Sequence, residues 1–358
     1  MMKAYTLKSA AVAALIFVCA CTKIEPPAPE PAPEPEPEPI EPDPELVYPA
    51  PDPAEGSFLR VAYFPYYRDF SVEAFPDSMF NFIDVACYAF THITDSYLPQ
   101  ISSPDQARLL IKRCHEHGVK VELCFGGDWL DKRFVTMSRS GELRHNFVDM
   151  ILRQVEQLGF DGVNNDWEYP SSADGSQYGN LLLMRELSNA LHAPGVGKTL
   201  SMAINCGKYK GSYTNGVDRG VFDCCDWLGT MCYDDNAPHS PFSILVDSYD
   251  YWIGERKMPV RKFVGGLPCY GRGTYADDTW NSAKTFRNLV LNYGADPDAD
   301  EVETDGFITD YNGRKTIAEK VKYLIEKNAG GYFFWEAGED MVDERSLIRT
   351  ASITAGNR

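Results

Sequence analysis

Basic residues are scarce in this chain. Its 34 lysines and arginines face 52 aspartates and glutamates, leaving a net charge of −18 over 358 residues. A nucleic-acid partner does not fit that balance, because phosphate binding needs clustered Lys and Arg and no such patch is present. Long hydrophobic runs are missing too. The longest apolar stretch near the start, Ala10 to Ala20, is too short to span a bilayer. Metal-ligand spacings such as C-x-x-C are absent. His115 and His117 sit two apart, so on a helix they point to different faces and suit a helix end better than a metal. The segment GGLPCYGRG is glycine-rich but lacks the spacing of a phosphate loop. No metal and no organic cofactor is expected.

Lys3 and Lys8 lead into the Ala10 to Ala20 run, the layout of a secretory signal that is removed rather than folded. Val18-Cys19-Ala20-Cys21 resembles a lipobox, which makes Cys21 the expected lipidation site; a soluble secreted protein cut nearby is the alternative. From Ile24 to Gly56 the chain is almost wholly Pro, Glu, Asp and Ala with no basic residue. That composition cannot bury a core and predicts a disordered linker over 21–56. Polyproline II at about 3.1 Å per residue makes it a spacer on the order of 100 Å. It holds ten acidic residues, more than half of the net charge, so the remainder is only moderately acidic. The expected organisation is a signal over 1–20, the anchored linker over 21–56 and one domain over 57–358. The expected product is an exported monomer, lipid-anchored to an outer membrane and exposed at the cell surface. Of ten cysteines, two fall in the signal and anchor, while Cys87, Cys124, Cys232 and Cys269 lie in apolar runs as expected core thiols.

After Gly56, apolar runs of strand length alternate with helix-period segments eight times. The strands are expected at Phe58 to Phe64, Phe82 to Phe90, Val119 to Phe125, Gly162 to Trp167, Leu200 to Asn205, Trp227 to Tyr233, Lys262 to Leu267 and Gly331 to Trp335. Eight such units most simply close into an α/β (β/α)8 TIM barrel, with a doubly wound open sheet as the alternative. Barrel chemistry sits beyond the carboxyl ends of the strands. That rule selects Tyr63, Tyr66, Phe90, Trp129, Asp166, Glu168, Tyr233, Asp234, Tyr270, Arg272 and Trp335, a set of aromatics and acids suited to a sugar cleft.

The acids belong to one decapeptide, Asp161 to Pro170, DGVNNDWEYP, at the end of the fourth expected strand. Side chains two apart share a strand face about 6.6 Å apart, so Asn164, Asp166 and Glu168 project together. Two carboxyls this close in a dry cleft cannot both ionise easily, and one is kept protonated as a proton donor. The string resembles the D-G-x-D-x-D-x-E signature of glycoside hydrolase family 18, the chitinases and endo-β-N-acetylglucosaminidases. VAYFPYY, LCFGGDW, MCYDD, GLPCYGRG and GGYFFWEAGED resemble further landmarks of that family in the same order. The resemblance implies Glu168 as general acid and base and Asp166 as the group orienting the substrate's acetamido. It implies Tyr233 on the acetamido oxygen with Asp234 beside it, and Trp335 as the floor of the reacting sugar's subsite with Met231 beneath. Tyr63, Phe90, Trp129, Asn164, Tyr169 and Arg272 complete the implied substrate-binding set. The implied reaction is retaining and substrate-assisted, the family's exception to the two-carboxylate scheme.

Three residues depart from the family pattern. Asn164 stands where an Asp is usual, can still hydrogen-bond Asp166, and cannot share a proton. Asn165 occupies an aliphatic position facing the helix layer and needs a partner. Cys124 replaces a serine. Between Arg272 and Gly330 there is room for a helix, Lys284 to Tyr293, and some loop, so no large α+β insertion and a shallow cleft are expected. The expected substrate is an N-acetylglucosamine oligo- or polysaccharide, chitin-derived or related. The alternatives are an endoglycosidase of glycoprotein N-glycans and, in another class, a non-catalytic lectin-like binder of chitooligosaccharides.

Overall fold

Each of the eight apolar runs forms a strand in the structure, a computed structural model that describes residues 43–127, 131–274 and 279–356. The strands are β1 Leu59–Pro65, β2 Val85–Ile93, β3 Lys120–Gly126, β4 Gly162–Asp166, β5 Thr199–Asn205, β6 Trp227–Met231, β7 Phe263–Pro268 and β8 Gly331–Trp335. All eight pair in parallel with their chain neighbours, and β1 pairs with both β2 and β8, Val61 lying between Val85 and Phe333. The sheet therefore closes as a (β/α)8 barrel. An open sheet is ruled out by the β1 to β8 pairing. Closure buries both faces of every strand, which is why these runs are apolar throughout rather than alternating.

Helices cover the outside, among them α1 Pro104–Glu116, α2 Gly141–Leu158, α3 Ser176–Leu191, α4 Phe286–Asn292, α5 Arg314–Glu326 and α6 Leu347–Ala355. Their ends follow local chemistry. Proline starts α1, the Ser140 hydroxyl caps α2 by accepting from the Leu143 N–H, and Gly159 at φ 86° stops it. His115 near the end of α1 pairs with Asp161 at 2.8 Å, and His117 stacks on Phe80, so both act structurally. Between β7 and β8 the chain holds more than a helix and loop: α4 is followed by an antiparallel hairpin, Glu301–Thr304 with Phe307–Asp310. This is a small α+β excursion, not a large insertion.

The main core lies between strands and helices, and a second cluster fills the barrel lumen. Val61, Tyr63, Cys87, Cys124, Trp227, Val264 and Phe333 meet there. Phe333 is the plug. Its ring occupies space opened by two glycines: a Cβ on Gly266 would lie 2.7 Å from the ring, and one on Gly229 would lie 3.0 Å away. All eight described cysteines are free, and all but Cys206 are buried.

One boundary differs from expectation. Residues 43–56 pack along α3 instead of continuing a free linker. The Val47 and Tyr48 N–H groups donate to Asn189 Oδ1, Asn189 Nδ2 donates to the Glu45 carbonyl, and the Ala50 N–H reaches the Asp223 carbonyl. A proline-rich segment has few donors of its own, and side chains of α3 supply the partners. Residues 1–42, Cys21 included, lie outside the described residues.

Gly266→Ala tests the plug. A Cβ there would also sit 2.6 Å from the Thr230 backbone carbonyl, which cannot move aside cheaply. A loss of about 1–3 kcal/mol is expected, measured as a lower urea midpoint at unchanged slope.

Candidate active site

β4 carries the decapeptide up through the lumen. Gly162, Asn164 and Asp166 face inward, and Glu168 stands just beyond the strand end. The Gly126-Gly127 pair at the end of β3 lets this strand end approach closely. A Cβ on Gly126 (φ 113°) would lie 2.3 Å from the Asp166 carbonyl oxygen, one on Gly127 2.5 Å from the Phe90 ring, and the Gly127 N–H donates to that Asp166 carbonyl at 2.9 Å. Two glycines are therefore required at this seam.

Outward-facing Asn165 finds its partner on α3. Its Nδ2 donates to Asn180 Oδ1 at 3.0 Å, and its Oδ1 accepts from the Trp167 N–H at 3.0 Å. An unpaired amide would cost roughly 1–3 kcal/mol, and none is left. Trp167 between the acids turns away, stacking on Phe134 in the outer core at 5.6 Å.

A cleft of about 680 Å³ opens over the strand ends, and Asp166 and Glu168 both line it. Tyr63, Phe90, Tyr169, Met231, Tyr233, Asp234 and Trp335 line it too, as expected from sequence. Trp335 stacks on Phe90 at 5.7 Å and tilts against Tyr63 at 5.5 Å, forming one aromatic wall. Burial pushes the Asp166 carboxyl up to about 7. Burial also raises Glu168 well above the carboxylate range, with the Asp166 and Asp234 charges adding to it and a Tyr169 hydrogen bond opposing. Both acids bind protons more tightly folded than unfolded, so each removes stability as pH rises from about 4 through its folded value. Burial and the neighbouring charges thus favour the protonated form of Glu168. Asp166 Oδ1 is buried and has no hydrogen-bond partner among the described residues.

Two expected contacts take other roles. Asn164 is fully buried beneath the cleft and does not line it or bond Asp166. Its Nδ2 donates to Ser201 Oγ at 2.7 Å, while its Oδ1 accepts from the Tyr63 hydroxyl at 3.0 Å and Cys124 Sγ at 3.1 Å. Cys124 and Ser201 are level with it in the strand register, whereas Asp166 lies one pleat higher. Arg272 does not line the cleft either: its guanidinium donates from Nε to Asp234 at 2.5 Å and packs over Trp280 at 3.9 Å. Asp234, at φ 62°, also accepts from the Tyr270 hydroxyl at 2.6 Å. Tyr66 packs against Tyr67 and His92, away from the lining. Trp129 lies outside the described residues.

Sequence reasoning missed the opposite wall. Tyr209 and Tyr213 follow β5, Asp235 follows β6, Trp280 follows β7, and all line the cleft. Asp235 is the hub of this wall. Its carboxylate accepts from the Tyr209 hydroxyl at 2.5 Å and pairs with Lys208, and its backbone carbonyl accepts from Trp280 Nε1 at 3.1 Å. A pinned yet 68% exposed Tyr209 ring is a ready stacking surface. The available signal was KYK after a strand, too short to separate from ordinary surface. No group of His, Cys, Asp and Glu suited to a metal exists among the described residues.

Comparison with known proteins adds an independent line. A family model described as "Glycosyl hydrolases family 18" matches residues 61–340. A class V chitinase of Arabidopsis thaliana is 27% identical over 334 residues, covering 78% of this chain and 87% of that protein. Among solved structures, a class V chitinase from Nicotiana tobaccum superposes with a TM-score of 0.71 at 23% identity, covering 84% of this chain and 99% of that one. A chitinase from Cycas revoluta, solved in complex with (GlcNAc)3, gives 0.71 at 23% identity, covering 83% and 100%. The structural likenesses establish the same fold.

The charge coupling of the pair is testable. In Asp166→Asn the repulsive charge beside Glu168 is gone, and the Glu168 titration is expected to move to lower pH. Carbon-13 NMR of labelled glutamate carboxyls reads this, with Glu168→Gln assigning the signal; a midpoint that stays or rises contradicts the coupling.

Proposed function

The chain belongs to glycosyl hydrolases family 18 and is a glycosidase, and from that premise we propose that it hydrolyses β-1,4 bonds after N-acetylglucosamine in chitin-derived oligosaccharides. Names of relatives support the substrate: class V chitinase in Arabidopsis thaliana, and a bound N-acetylglucosamine trimer in the Cycas revoluta structure. The carrying observation is the buried Asp166 Oδ1, unpartnered among the described residues, beside Glu168, whose carboxyl burial raises well above the ordinary range, in an aromatic cleft.

An acceptor without a donor in a dry site is costly until something supplies one. The N–H of a sugar 2-acetamido group is such a donor. Bound to Asp166, it turns the acetamido carbonyl oxygen toward the anomeric carbon, with the Tyr233 hydroxyl holding that oxygen in place. Glu168, protonated near neutral pH, gives its proton to the glycosidic oxygen as the bond to the anomeric carbon breaks. The carbonyl oxygen forms the new bond, giving an oxazolinium ion. Water, deprotonated by the Glu168 carboxylate, then attacks the anomeric carbon from the side the leaving group left and breaks its bond to the acetamido oxygen, so configuration is retained. Trp335 is the apolar floor under the reacting ring, with Met231 beneath, and Asp234 is held against Tyr233's loop by Tyr270 and Arg272. The Tyr209, Tyr213 and Trp280 wall receives the sugars on the other side of the bond.

Anchoring is a separate proposal. The lipobox-like Val18-Cys19-Ala20-Cys21 and the acidic proline-rich segment support export, lipidation at Cys21 and display from an outer membrane. Labelled palmitate should enter the protein and be lost in Cys21→Ser. Label that moves only when Cys19 is changed would move the assignment.

Glu168→Gln removes the transferable proton and is expected to lower turnover of chitooligosaccharides by roughly 10²–10⁴ while binding persists. The wild-type protein is given a chitooligosaccharide ladder and a high-mannose glycoprotein side by side. Cleavage of the glycoprotein alone would replace the chitin reading with the N-glycan one. Equal inertness of both forms, with oligosaccharide still bound, would make the protein a lectin.

A further inference from the structure

Glu122 is a buried acid that the reaction above does not use. It sits in the lumen below Asn164, 1% exposed. Its Oε2 accepts from Ser201 Oγ at 2.5 Å, and its Oε1 accepts from Thr199 Oγ1 at 2.7 Å and from Trp227 Nε1 at 3.3 Å. Ser201 has one hydroxyl proton, and when Glu122 takes it the oxygen can only accept from Asn164. That fixes the amide: Nδ2 faces down to Ser201, and Oδ1 faces the Tyr63 hydroxyl and Cys124 thiol and takes both protons. The donors of Tyr63, Asn164 and Ser201 thus all point down the lumen toward one carboxylate. At the head of the line, Tyr63 lines the cleft with Asp166 and Glu168.

We propose that Glu122 is a positioning residue for the reaction at the barrel mouth: through Ser201 it sets which way the Asn164 amide faces and so where the Tyr63 hydroxyl proton points. The inference rests on the hydrolase reading for its kinetic consequence. When Glu122 gains a proton, the line reverses. Its O–H donates to Ser201, Ser201 donates to Asn164 Oδ1 once the amide turns over, and Asn164 Nδ2 faces Tyr63 and Cys124. The Tyr63 proton is then released from Asn164. Ser201 and the Asn164 amide keep a donor and an acceptor partner in both arrangements, which differ by one proton and one amide rotation.

The proton has a route. Glu122 lines a cavity of about 410 Å³ beneath the barrel floor together with Asp84, Lys120, Asp226 and Arg261. Burial pushes Glu122 up to about 7; the Ser201 and Thr199 bonds oppose this and the Asp226 charge adds to it. Cys87 on β2 also feels the Glu122 charge, as does Cys124 on its own strand, and both thiols feel Asp166 above. Lys120 and Arg261 are the cations at the floor.

The test compares the pH dependence of kcat on chitohexaose for wild type, Glu122→Gln and Ser201→Ala. Both variants are expected to show one ionisation fewer between about pH 6 and 8, with kcat about five-fold lower, the factor of one lost orienting hydrogen bond. A wild-type profile in either variant overturns the proposal, and Ser201→Ala decides it if Glu122→Gln does not fold. Infrared difference titration of the Glu122 carboxyl band, identified by its absence in Glu122→Gln, reads the line without turnover. Its midpoint is expected to shift in Ser201→Ala and again in Asn164→Leu; a midpoint fixed in both overturns the relay. A wild type that cleaves no N-acetylglucosamine substrate removes the hydrolase reading, and the infrared result then decides the relay by itself.

Discussion

Placing carboxylic acids inside a closed parallel barrel is the constraint on which the rest of this molecule depends. The lumen is dry because Phe333, Trp227 and their neighbours fill it, and the plug fits because Gly229 and Gly266 give way to its ring. Charged oxygen there loses the solvation of water, so Asp166, Glu168 and Glu122 all have raised pKa values with burial as the first cause. The proposed proton donor and the floor acid are thus tuned by one packing arrangement. Reactivity here is a property of the barrel before it is a property of any single residue.

Polar groups in such a lumen must find partners, and their arrangement follows strand periodicity. Glu122 and Cys124 on β3, Asn164 and Asp166 on β4, and Ser201 on β5 alternate inward at heights set by the parallel register, in which Cys124, Asn164 and Ser201 are level. The level group closes its own hydrogen bonds. Asp166, one pleat higher, is left with an open acceptor at the cleft. The same alternation sends Asn165 and Trp167 outward, where Asn180 and Phe134 receive them.

The barrel was legible because its strands are buried on both faces and its helices end on glycine, proline and serine caps; β8 agrees with expectation to the residue. The cleft's first wall was legible for a related reason: residues just beyond a strand end have one place to go. What failed to show in sequence depends on side chains meeting across loops. Asp235, itself beyond β6, gathers Lys208 and Tyr209 from the loop after β5 and Trp280 from the loop after β7, and no spacing announces that. Arg272 looked like a cleft residue by position, yet the Asp234 carboxylate captures it. The packing of residues 43–56 escaped for the opposite reason. Composition reports what a segment cannot bury and is silent on the acceptor and donor that Asn189 of a neighbouring helix offers.

Asn164 brings these threads together. An aspartate at that position would put a third acid beside Asp166 and Glu168, where two unit charges 4 Å apart cost about 4 kcal/mol even at an effective dielectric of about 20. An amide avoids that repulsion and supplies both a donor and an acceptor. The acid below Asn164 in the lumen is Glu122, where three donors meet it. Negative charge thereby sits below the proposed pair and is linked to Asn164 only through Ser201. A neutral residue at 164 is compatible with the proposed pair above it because Ser201, Tyr63 and Cys124 hold its amide, which leaves Asp166 Oδ1 open for the proposed acetamido donor.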